Sequence, residues 1–236
     1  MFVSIIIAAS AQAMVPVPVP RVDGRRLRAG STCYAIERGG TPMGATLQSV
    51  EPARAGRVPA WRIVVHQKLA GGRFEMRDTF LVRRSDLRPI SLDSRRGTRA
   101  AGAGWQEIRV DYAGQRISGT RTQPTGIQPI DVPLGRPVWE GNLWGLTFGA
   151  LPLRDGARFS LPFWQYDKGF GAFTVNVVGS QSVATPTGRV DAWVVEAGDD
   201  PSRLARYLIA KRTGAELGYS AGDMVQRIGG DCRGMG

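Results

Sequence analysis

The sequence predicts a mainly β protein: a single strongly curved antiparallel sheet of about ten strands, an open half-barrel, with one short helix packed on its concave face. From Thr32 onward, strand signals bounded by turn residues recur about every ten residues. In one of these strands Ile108, Val110 and Tyr112 alternate with charged residues, which is typical of an antiparallel strand with one solvated face. Only the segment 137–164 carries apolar residues at helical spacing.

Glycine pairs mark the first hairpins. Gly39-Gly40 joins the first two predicted strands and Gly71-Gly72 the next two, because glycine takes the positive φ angles that tight turns require. No internal repeat or domain boundary interrupts the series, so residues 30–236 are predicted to form a single β-rich half-barrel domain. The predicted strands lie at 33–37, 43–50, 61–69, 74–82, 106–112, 115–121, 127–134, 157–164, 170–178, 189–196 and 206–211.

The predicted helix begins at Pro137, because proline is favoured at the first helical position. Trp139, Leu143, Leu146 and Ala150 then follow every three or four residues, which places them on one helical face. A helix with one apolar face has to bury that face against another element. We therefore expect this helix to lie on the concave face of the sheet, with these side chains buried.

The same segment carries a stripe of three glycines, Gly141, Gly145 and Gly149. Each glycine costs a helix up to about 1 kcal/mol relative to alanine. Three of them on one face indicate that a neighbouring element packs too closely to leave room for a Cβ atom. The alternative is that they mark a loop.

Residues 1–13 are predicted to be a signal peptide. Their apolar run ends at Ala11-Gln12-Ala13, a small-x-small pattern of the kind that signal peptidase cleaves, and it is too short to anchor the chain in a bilayer. The alternative is a buried N-terminal strand. Residues 14–29 combine a Pro-Val alternation with a basic stretch and are predicted to be an extended, solvated linker. This pattern predicts export to the periplasm of a Gram-negative cell.

Two cysteines agree with an oxidising compartment. Cys33 opens the first strand and Cys232 lies near the end of the sequence, so they do not form a local CxxC redox or zinc motif. We expect a disulfide that ties the two ends of the fold together. A single histidine and two distant cysteines also argue against a structural zinc site.

The net charge is +11, from 31 Lys and Arg against 20 Asp and Glu. Such a positive field attracts anionic surfaces. Nucleic acid is not expected as a partner, because an exported chain seldom meets it. Anionic lipid or acidic polysaccharide of the cell envelope fits better.

The sequence carries no recognisable catalytic or cofactor motif. His66 would have to serve any Ser-His-Asp or Cys-His arrangement, yet no nucleophile elbow accompanies it, so it is expected to be a satisfied or exposed strand residue. No Gly-rich phosphate loop lies between a strand and a helix. Asp78 falls on an apolar strand face and needs a partner there. Pairing with an arginine inside the fold is the main expectation, and a role in ligand binding or catalysis is the alternative.

Large apolar side chains concentrate in the helical segment and the strand after it. They either line a ligand cavity between helix and sheet or fill the core of a wide β fold. The residues predicted to line such a cavity are Trp139, Leu143, Trp144, Phe148, Phe163 and Trp164.

Four short motifs, in this order along the chain, resemble a known family. They are Tyr34-x-Ile-x-x-Gly-Gly-x-x-x-Gly44, the tripeptide Leu87-Arg88-Pro89, the sequence Leu-Pro-Leu-Arg-Asp-Gly at 151–156 and the strand Pro-Thr-Gly-Arg-Val-Asp-Ala-Trp at 186–193. This order is similar to that of the domain-of-unknown-function 3108 family of exported proteobacterial proteins. The family in turn resembles the periplasmic lipoprotein-localisation carriers, LolA and LolB. The resemblance implies a half-barrel covered by helix and an envelope location, and it carries over no catalytic residue.

Two functions remain open at this point. In the first, the protein is a non-enzymatic binding module or carrier that holds a lipid or a lipoprotein acyl chain under the helix. In the second, it is a structural or assembly factor with a filled core, and its basic outer face contacts an anionic envelope surface. Neither requires a cofactor or a metal, and a monomer is favoured.

Overall fold

The computed structural model describes residues 19–72, 74–97 and 104–235. The predicted signal peptide at 1–13 and the first part of the predicted linker lie outside these ranges. Within them, one sheet accounts for nearly all regular structure. Its strands are β1 (Gly30–Arg38), β2 (Thr41–Ala55), β3 (Val58–Leu69), β4 (Phe74–Arg83), β5 (Pro89–Arg96), β6 (Gln106–Ala113), β7 (Arg116–Gln123), β8 (Gly126–Pro133), β9 (Trp139–Glu140), β10 (Arg158–Gln165), β11 (Gly169–Thr185), β12 (Gly188–Gly198), β13 (Ala205–Ala210), β14 (Glu216–Ala221) and β15 (Met224–Ile228).

The strands form an antiparallel meander in the order β8-β7-β6-β5-β4-β3-β2-β1-β15-β14-β13-β12-β11-β10-β9. Short hairpins join most neighbours, and the last strand of the chain pairs with the first, with Tyr34 opposite Ile228. The two-residue strand β9 alone runs parallel to its neighbour, β10. Because antiparallel strands alternate in direction, every second turn lies at the same end of the barrel.

The prediction of a mainly β fold with one short helix is confirmed, but the strand number is wrong: the described residues form fifteen strands rather than about ten. The predicted ranges leave out β5, β9, β14 and β15. None of these combines length with the unbroken apolar–polar alternation that identifies a strand in sequence. Their partners in the folded sheet determine that they are strands.

The core is built from rows of side chains that continue across neighbouring strands. Ile63 lies opposite Phe80, Phe80 opposite Leu92, and Leu92 opposite Val110. All four are at most 2% exposed and belong to one apolar cluster with the aromatic residues of the helical segment. The alternation of each strand therefore sends one face into a common interior.

The sheet curls until strands near its two edges meet across the interior. The rings of Tyr112 in β6 and Trp164 in β10 pack edge to face, with centroids 6.1 Å apart. The guanidinium of Arg96 in β5 lies 5.6 Å from the ring of Tyr166, just after β10. The edge strands β8 and β9 do not pair with each other, so the sheet remains an open, strongly curved half-barrel.

The helix is shorter than predicted. Helix α1 spans Trp144–Gly149, and the residues before it form β9 and a turn. The prediction of a helix from Pro137 was wrong. Trp139 and Glu140 pair with the backbone of β10 as a short strand, instead of forming the first turn of a helix. The predicted burial is nevertheless confirmed: Trp139, Leu143 and Leu146 are each at most 9% exposed.

The described part of the predicted linker is packed on the barrel rather than solvated. Val22 is 3% exposed, and a 3-10 turn follows it at Gly24–Arg26. The indole of Trp61 donates to the Gly24 carbonyl at 2.8 Å, and the Asp23 amide donates to the carbonyl of Ala150 at 2.9 Å. The prediction of a solvated linker is wrong for this part of the chain. The side chain of Val22 is buried at the end of the barrel, and the neighbouring backbone forms hydrogen bonds with it.

The predicted disulfide between Cys33 and Cys232 is present, with a Cα–Cα distance of 5.9 Å and a sequence separation of 199 residues. It fixes the C-terminal segment to the start of the sheet, where the Gly229 amide also donates to the Cys33 carbonyl. A stable disulfide indicates folding in an oxidising environment, as expected for an exported protein. Among the described ranges, no helix is both long and apolar enough to cross a membrane.

Candidate functional site

The glycine stripe explains how α1 lies so close to its neighbours. A Cβ atom at Gly141 would overlap the side chain of Gln165, and one at Gly145 would overlap the carboxylate of Glu216. At Gly149 the obstacle is the backbone, the carbonyl oxygen of Gly214. The predicted close approach is therefore confirmed.

Gly149→Ala is expected to destabilise the protein by about 1–3 kcal/mol, because overpacking against a backbone carbonyl cannot be relieved by a side-chain rotation. The free energy of unfolding in urea measures the effect. Gly135→Ala is the matched control, since no atom lies within 4 Å of a Cβ placed there. Equal stability of the two variants would show that α1 is not closely packed at Gly149.

Four of the six residues predicted to line a cavity pack away from the space beside α1. Phe148 lies edge-on to Tyr207, and Phe163 lies edge-on to Trp144 at a centroid distance of 5.8 Å. Phe148, Phe163 and Trp164 are at most 4% exposed and contribute to the filled core. Trp139 donates its indole N–H to the carbonyl of Asp86 at the outer edge of the barrel.

Leu143 and Trp144, the remaining two, border a cavity of about 300 Å³ between α1 and the sheet, which we call the Trp144 cavity. It follows β14 from Glu216 to Ala221. A second cavity of about 280 Å³, the Arg28 cavity, lies where β14 begins, bordered by Arg26, Arg28, Leu146 and the turn before Glu216. The walls of the Trp144 cavity are Thr46, Gln48, Val65, Gln67, Met76, Gly141, Asn142, Leu143, Trp144, Gly145, Ala205, Tyr207, Glu216, Tyr219, Ala221 and Gln226.

Glu216 and Gln48 border both cavities, so these side chains lie between the two spaces. Glu216 is 6% exposed, and no hydrogen bond or opposite charge in the described part of the chain offsets the effect of burial on its carboxyl group. Burial raises the pKa of Glu216 to about 7. A buried carboxyl group without a partner is costly in a purely structural role, so it is the group best placed to meet a ligand.

The sheet side of the Trp144 cavity has an aromatic part and a polar part. Tyr207 and Tyr219 stack with ring centroids 5.4 Å apart. Next to them on the same sheet, where Gln226 pairs with Tyr219, Thr46 donates to the amide oxygen of Gln226 at 2.9 Å and accepts from Gln67 at 3.2 Å. No lysine or arginine lines this cavity, although the protein as a whole carries +11. It suits an apolar or amphiphilic molecule rather than a free anion.

Asp78 is fully buried and pairs with an arginine, as predicted. Ser94 donates to one carboxylate oxygen, and Arg96 lies 3.4 Å from the other. Burial raises the pKa of Asp78, and Arg96 and Ser94 oppose the shift. The sequence signal for this residue was a carboxylate on an apolar strand face, and the structure supplies the partner.

Glu140 was missed by sequence reasoning. It lies in β9 opposite Trp164 and is 2% exposed. Neither of its carboxylate oxygens has a hydrogen-bond partner in the described part of the chain. Burial, followed by the charge of Asp78, raises the pKa of Glu140 to about 8; the Gly141 amide and Arg96 oppose the shift without forming hydrogen bonds of normal geometry. Its sequence context predicted a helix, and therefore gave no sign of a buried strand position.

Stability is expected to fall as the pH rises from 5 to 8. The pKa values of Glu140 and Glu216 rise from 4.5 to about 8 and about 7. The folded state therefore holds these protons more tightly than the unfolded state, and the stabilisation present below pH 4.5 is lost as the pH passes through the folded-state values. Glu140→Gln removes one of these titrations. Relative to the parent protein, the free energy of unfolding of this variant is expected to be higher at pH 8 than at pH 5 by on the order of 2 kcal/mol.

The measurement is the melting temperature of both proteins between pH 5 and pH 9. Asp131→Asn is a suitable control, because Asp131 is an exposed carboxylate paired with Arg116 on the outer face. A parent protein that melts at the same temperature across this range would contradict the assignment of Glu140 and Glu216 as buried acids.

His66 has a structural role. Its Nδ1 lies 2.9 Å from the carbonyl oxygen of Met235, and its Nε2 lies 2.8 Å from the carboxylate of Glu75. Both partners are acceptors, so the ring anchors the C-terminal segment to β3 and β4. The expectation of a satisfied strand histidine is confirmed. Within the described ranges, no three His, Cys, Asp or Glu side chains come together in a way that could hold a metal ion.

The comparisons agree with this architecture. The family described as a protein of unknown function (DUF3108) matches residues 33–217, which is most of the chain. The chain belongs to the DUF3108 family. No curated protein matches this DUF3108 member. Among solved structures it is similar to the beta-barrel-like protein of domain of unknown function DUF1849 from Brucella abortus. The two are 10% identical, with a TM-score of 0.55, over 91% of this chain and 98% of that chain.

That likeness shows the fold alone, because the identity is so low. It supports a barrel-like sheet and extends the predicted resemblance to a second family of unknown function. The finer prediction, a likeness to the lipoprotein-localisation carriers LolA and LolB, stays a prediction.

Proposed function

We propose that this DUF3108 protein is a non-enzymatic, periplasmic binding protein that holds an apolar or lipid-like ligand between α1 and the concave face of its sheet. One observation carries the proposal: two cavities lie in series along β14 and share the side chains of Gln48 and Glu216. In this proposal, a rotation of the Glu216 side chain joins them into one elongated space for the ligand.

The sizes of the cavities support a slender ligand. Ligand sites usually measure about 300–1,000 Å³, and each cavity alone lies at the lower limit. When joined, the two cavities form one long, narrow space, which fits an extended molecule better than a compact one. An acyl chain is the ligand class that uses such a shape.

The chemistry of the two ends supports an orientation. Leu143, Trp144 and Tyr219 give the Trp144 cavity an apolar surface, whereas Arg26 and Arg28 border the other cavity. An acidic amphiphile, such as a fatty acid or an acylated headgroup, satisfies both ends when its tail lies beside Trp144. Glu216, protonated below its pKa of about 7, meets the middle of the ligand as a neutral group.

Three observations support the periplasm as the location. The Cys33–Cys232 disulfide requires an oxidising environment, and the arginine-rich surface favours the anionic surfaces of the envelope. The sequence pattern at 1–13 is that of an exported precursor.

The test is native mass spectrometry of protein purified from its own membrane-bearing cells, together with a palmitate titration followed by tryptophan fluorescence. We expect a co-purifying lipid and saturable palmitate binding. Ala221→Trp places a large ring into the mouth of the Trp144 cavity and should abolish both signals. Ser220→Trp is the matched control, because neighbouring strand residues point to opposite faces. Protein that carries no lipid and binds no palmitate would refute the carrier.

The assembly factor is the second candidate, and one observation favours it: Phe148, Phe163 and Trp164 fill the core under α1. This function predicts protein without bound lipid and with the same melting temperature in the presence and absence of palmitate. It also predicts that Ala221→Trp, which leaves the outer surface unchanged, has no effect on envelope assembly in the native host.

A further inference from the structure

A basic cleft lies at the end of the barrel, outside the two cavities beside α1. It has a volume of about 430 Å³ and lies between the start of β5, the end of β6 and the loop 134–138. Three arginines line it, and no carboxylate does. We call it the Arg88 cleft; its walls are Arg83, Arg88, Pro89, Ile90, Tyr112, Gln115, Leu134, Gly135, Arg136, Pro137 and Val138.

Each guanidinium group is held in place by a different partner. Arg83 forms a two-pronged pair with Asp86, at 3.1 and 2.7 Å. Arg88 lies over the ring of Trp139 at 5.9 Å, and Arg136 lies over the ring of Phe170 at 5.8 Å. These contacts fix the orientation of the planar groups before any ligand arrives, which lowers the entropy cost of binding.

The charges around the cleft do not balance. Asp86 neutralises Arg83. The Nε of Arg88 lies 3.7 Å from the same carboxylate. Arg136 has no ion pair within the described part of the chain. Three guanidinium groups therefore share one carboxylate, and about two positive charges remain for a ligand.

A second observation points the same way. The Nε of Arg88 is buried and donates no hydrogen bond within the residues that the structure describes, because the nearest Asp86 oxygen is 3.7 Å away. A charged donor at that distance has lost water and gained an ion pair, but no hydrogen bond. An anionic oxygen in the cleft would accept this hydrogen bond.

Ile90, Leu134 and Val138 give the cleft an apolar patch, beside Tyr112 and Gln115. We propose that the Arg88 cleft is a binding site for a phosphate ester: a phosphate group held by Arg88 and Arg136, with its organic substituent against the apolar wall. A phosphate monoester carries close to two negative charges at neutral pH, which matches the uncompensated charge. Arginine also fits phosphate oxygens better than lysine does, because its fork presents two parallel donors.

The same end of the barrel carries further arginines that would attract such a ligand from solution. The segment before β1 and the turns β2–β3 and β4–β5 meet there, as the bonds from Gly24 to the Ser85 carbonyl and from Arg84 to the Pro59 carbonyl show. The arginines on these segments, other than those in the cleft, are Arg21, Arg25, Arg26, Arg28, Arg57 and Arg84.

Isothermal titration with glycerol 3-phosphate tests a soluble ester, and sedimentation with phosphatidic acid–phosphatidylcholine vesicles against pure phosphatidylcholine vesicles tests a lipid headgroup that is also a phosphate monoester. We expect saturable binding of at least one of these probes at 150 mM salt. Titratable glycerol 3-phosphate identifies a soluble ligand. Binding to phosphatidic acid vesicles alone identifies the lipid headgroup.

The variant Arg88→Gln/Arg136→Gln is expected to weaken the binding by about tenfold or more, because it removes charge-assisted hydrogen bonds. If the double variant folds poorly, the single variant Arg136→Gln, at an exposed position, is used instead and is also expected to bind the probe more weakly. Arg57→Gln is the matched control, since it removes one charge from the same end of the barrel outside the cleft. No binding of either probe, or an equal loss in Arg57→Gln, would overturn the proposal. Palmitate binding beside α1 is measured separately, so the two proposals fail independently.

Discussion

Replacing both cysteines, Cys33→Ala/Cys232→Ala, is expected to lower the free energy of unfolding by about 2–5 kcal/mol. The bond closes a loop with a sequence separation of 199 residues. In the chain-entropy account, a loop of that length restricts the unfolded chain by about 5 kcal/mol, an upper value. The bond also fixes the segment that contains Met235, whose carbonyl accepts from His66.

Denaturant unfolding of the parent protein with and without reductant measures this effect. The double alanine variant is its own control, because reductant should leave its unfolding curve unchanged. A parent protein whose midpoint does not move on reduction would show that the C-terminal segment is held by its other contacts alone.

Trp144→Ala is expected to cost about 3–5 kcal/mol of stability. Trp144 is 6% exposed and stacks on Phe173 at a centroid distance of 4.1 Å and on Phe148 at 5.9 Å. It also packs edge to face with Phe163. Removing the indole leaves these rings without a common partner and enlarges a space that already exists beside it.

Thermal and urea unfolding measure the loss, and Phe170→Ala is the control, because Phe170 is an aromatic residue that is 41% exposed. A surface change of that kind usually stays within about 0.5 kcal/mol. If Trp144→Ala unfolds like the parent, the aromatic cluster does not hold α1 to the sheet.

Much of the fold could be predicted from the sequence, because it depends on local patterns. The alternation of Ile108, Val110 and Tyr112 identified a strand and its buried face. Glycine pairs located the hairpins, and the glycine stripe at 141–149 predicted a close approach that the structure confirms. The two cysteines indicated their bond without a competing partner.

The candidate sites could not be predicted in this way, because they depend on neighbours that are distant in sequence. Glu216 and Gln48 border the same cavities although they belong to strands at opposite ends of the chain. Arg88 and Arg136 share a cleft because a turn and a loop meet at one end of the barrel. Nothing in the sequence around these residues distinguishes them from other polar strand and turn positions.

The sequence alone determined that this protein is a curved antiparallel sheet with a covering segment and a disulfide, since period-two alternation, turn glycines and cysteines act locally or in a single pair. Only the tertiary structure decided that Glu140 is buried and which arginine Asp78 meets. Glu140 became a buried acid because β9 pairs with β10, and Asp78 found Arg96 because β4 and β5 lie side by side. Burial and partner choice depend on the curvature of the whole sheet, and no short stretch of sequence encodes that curvature.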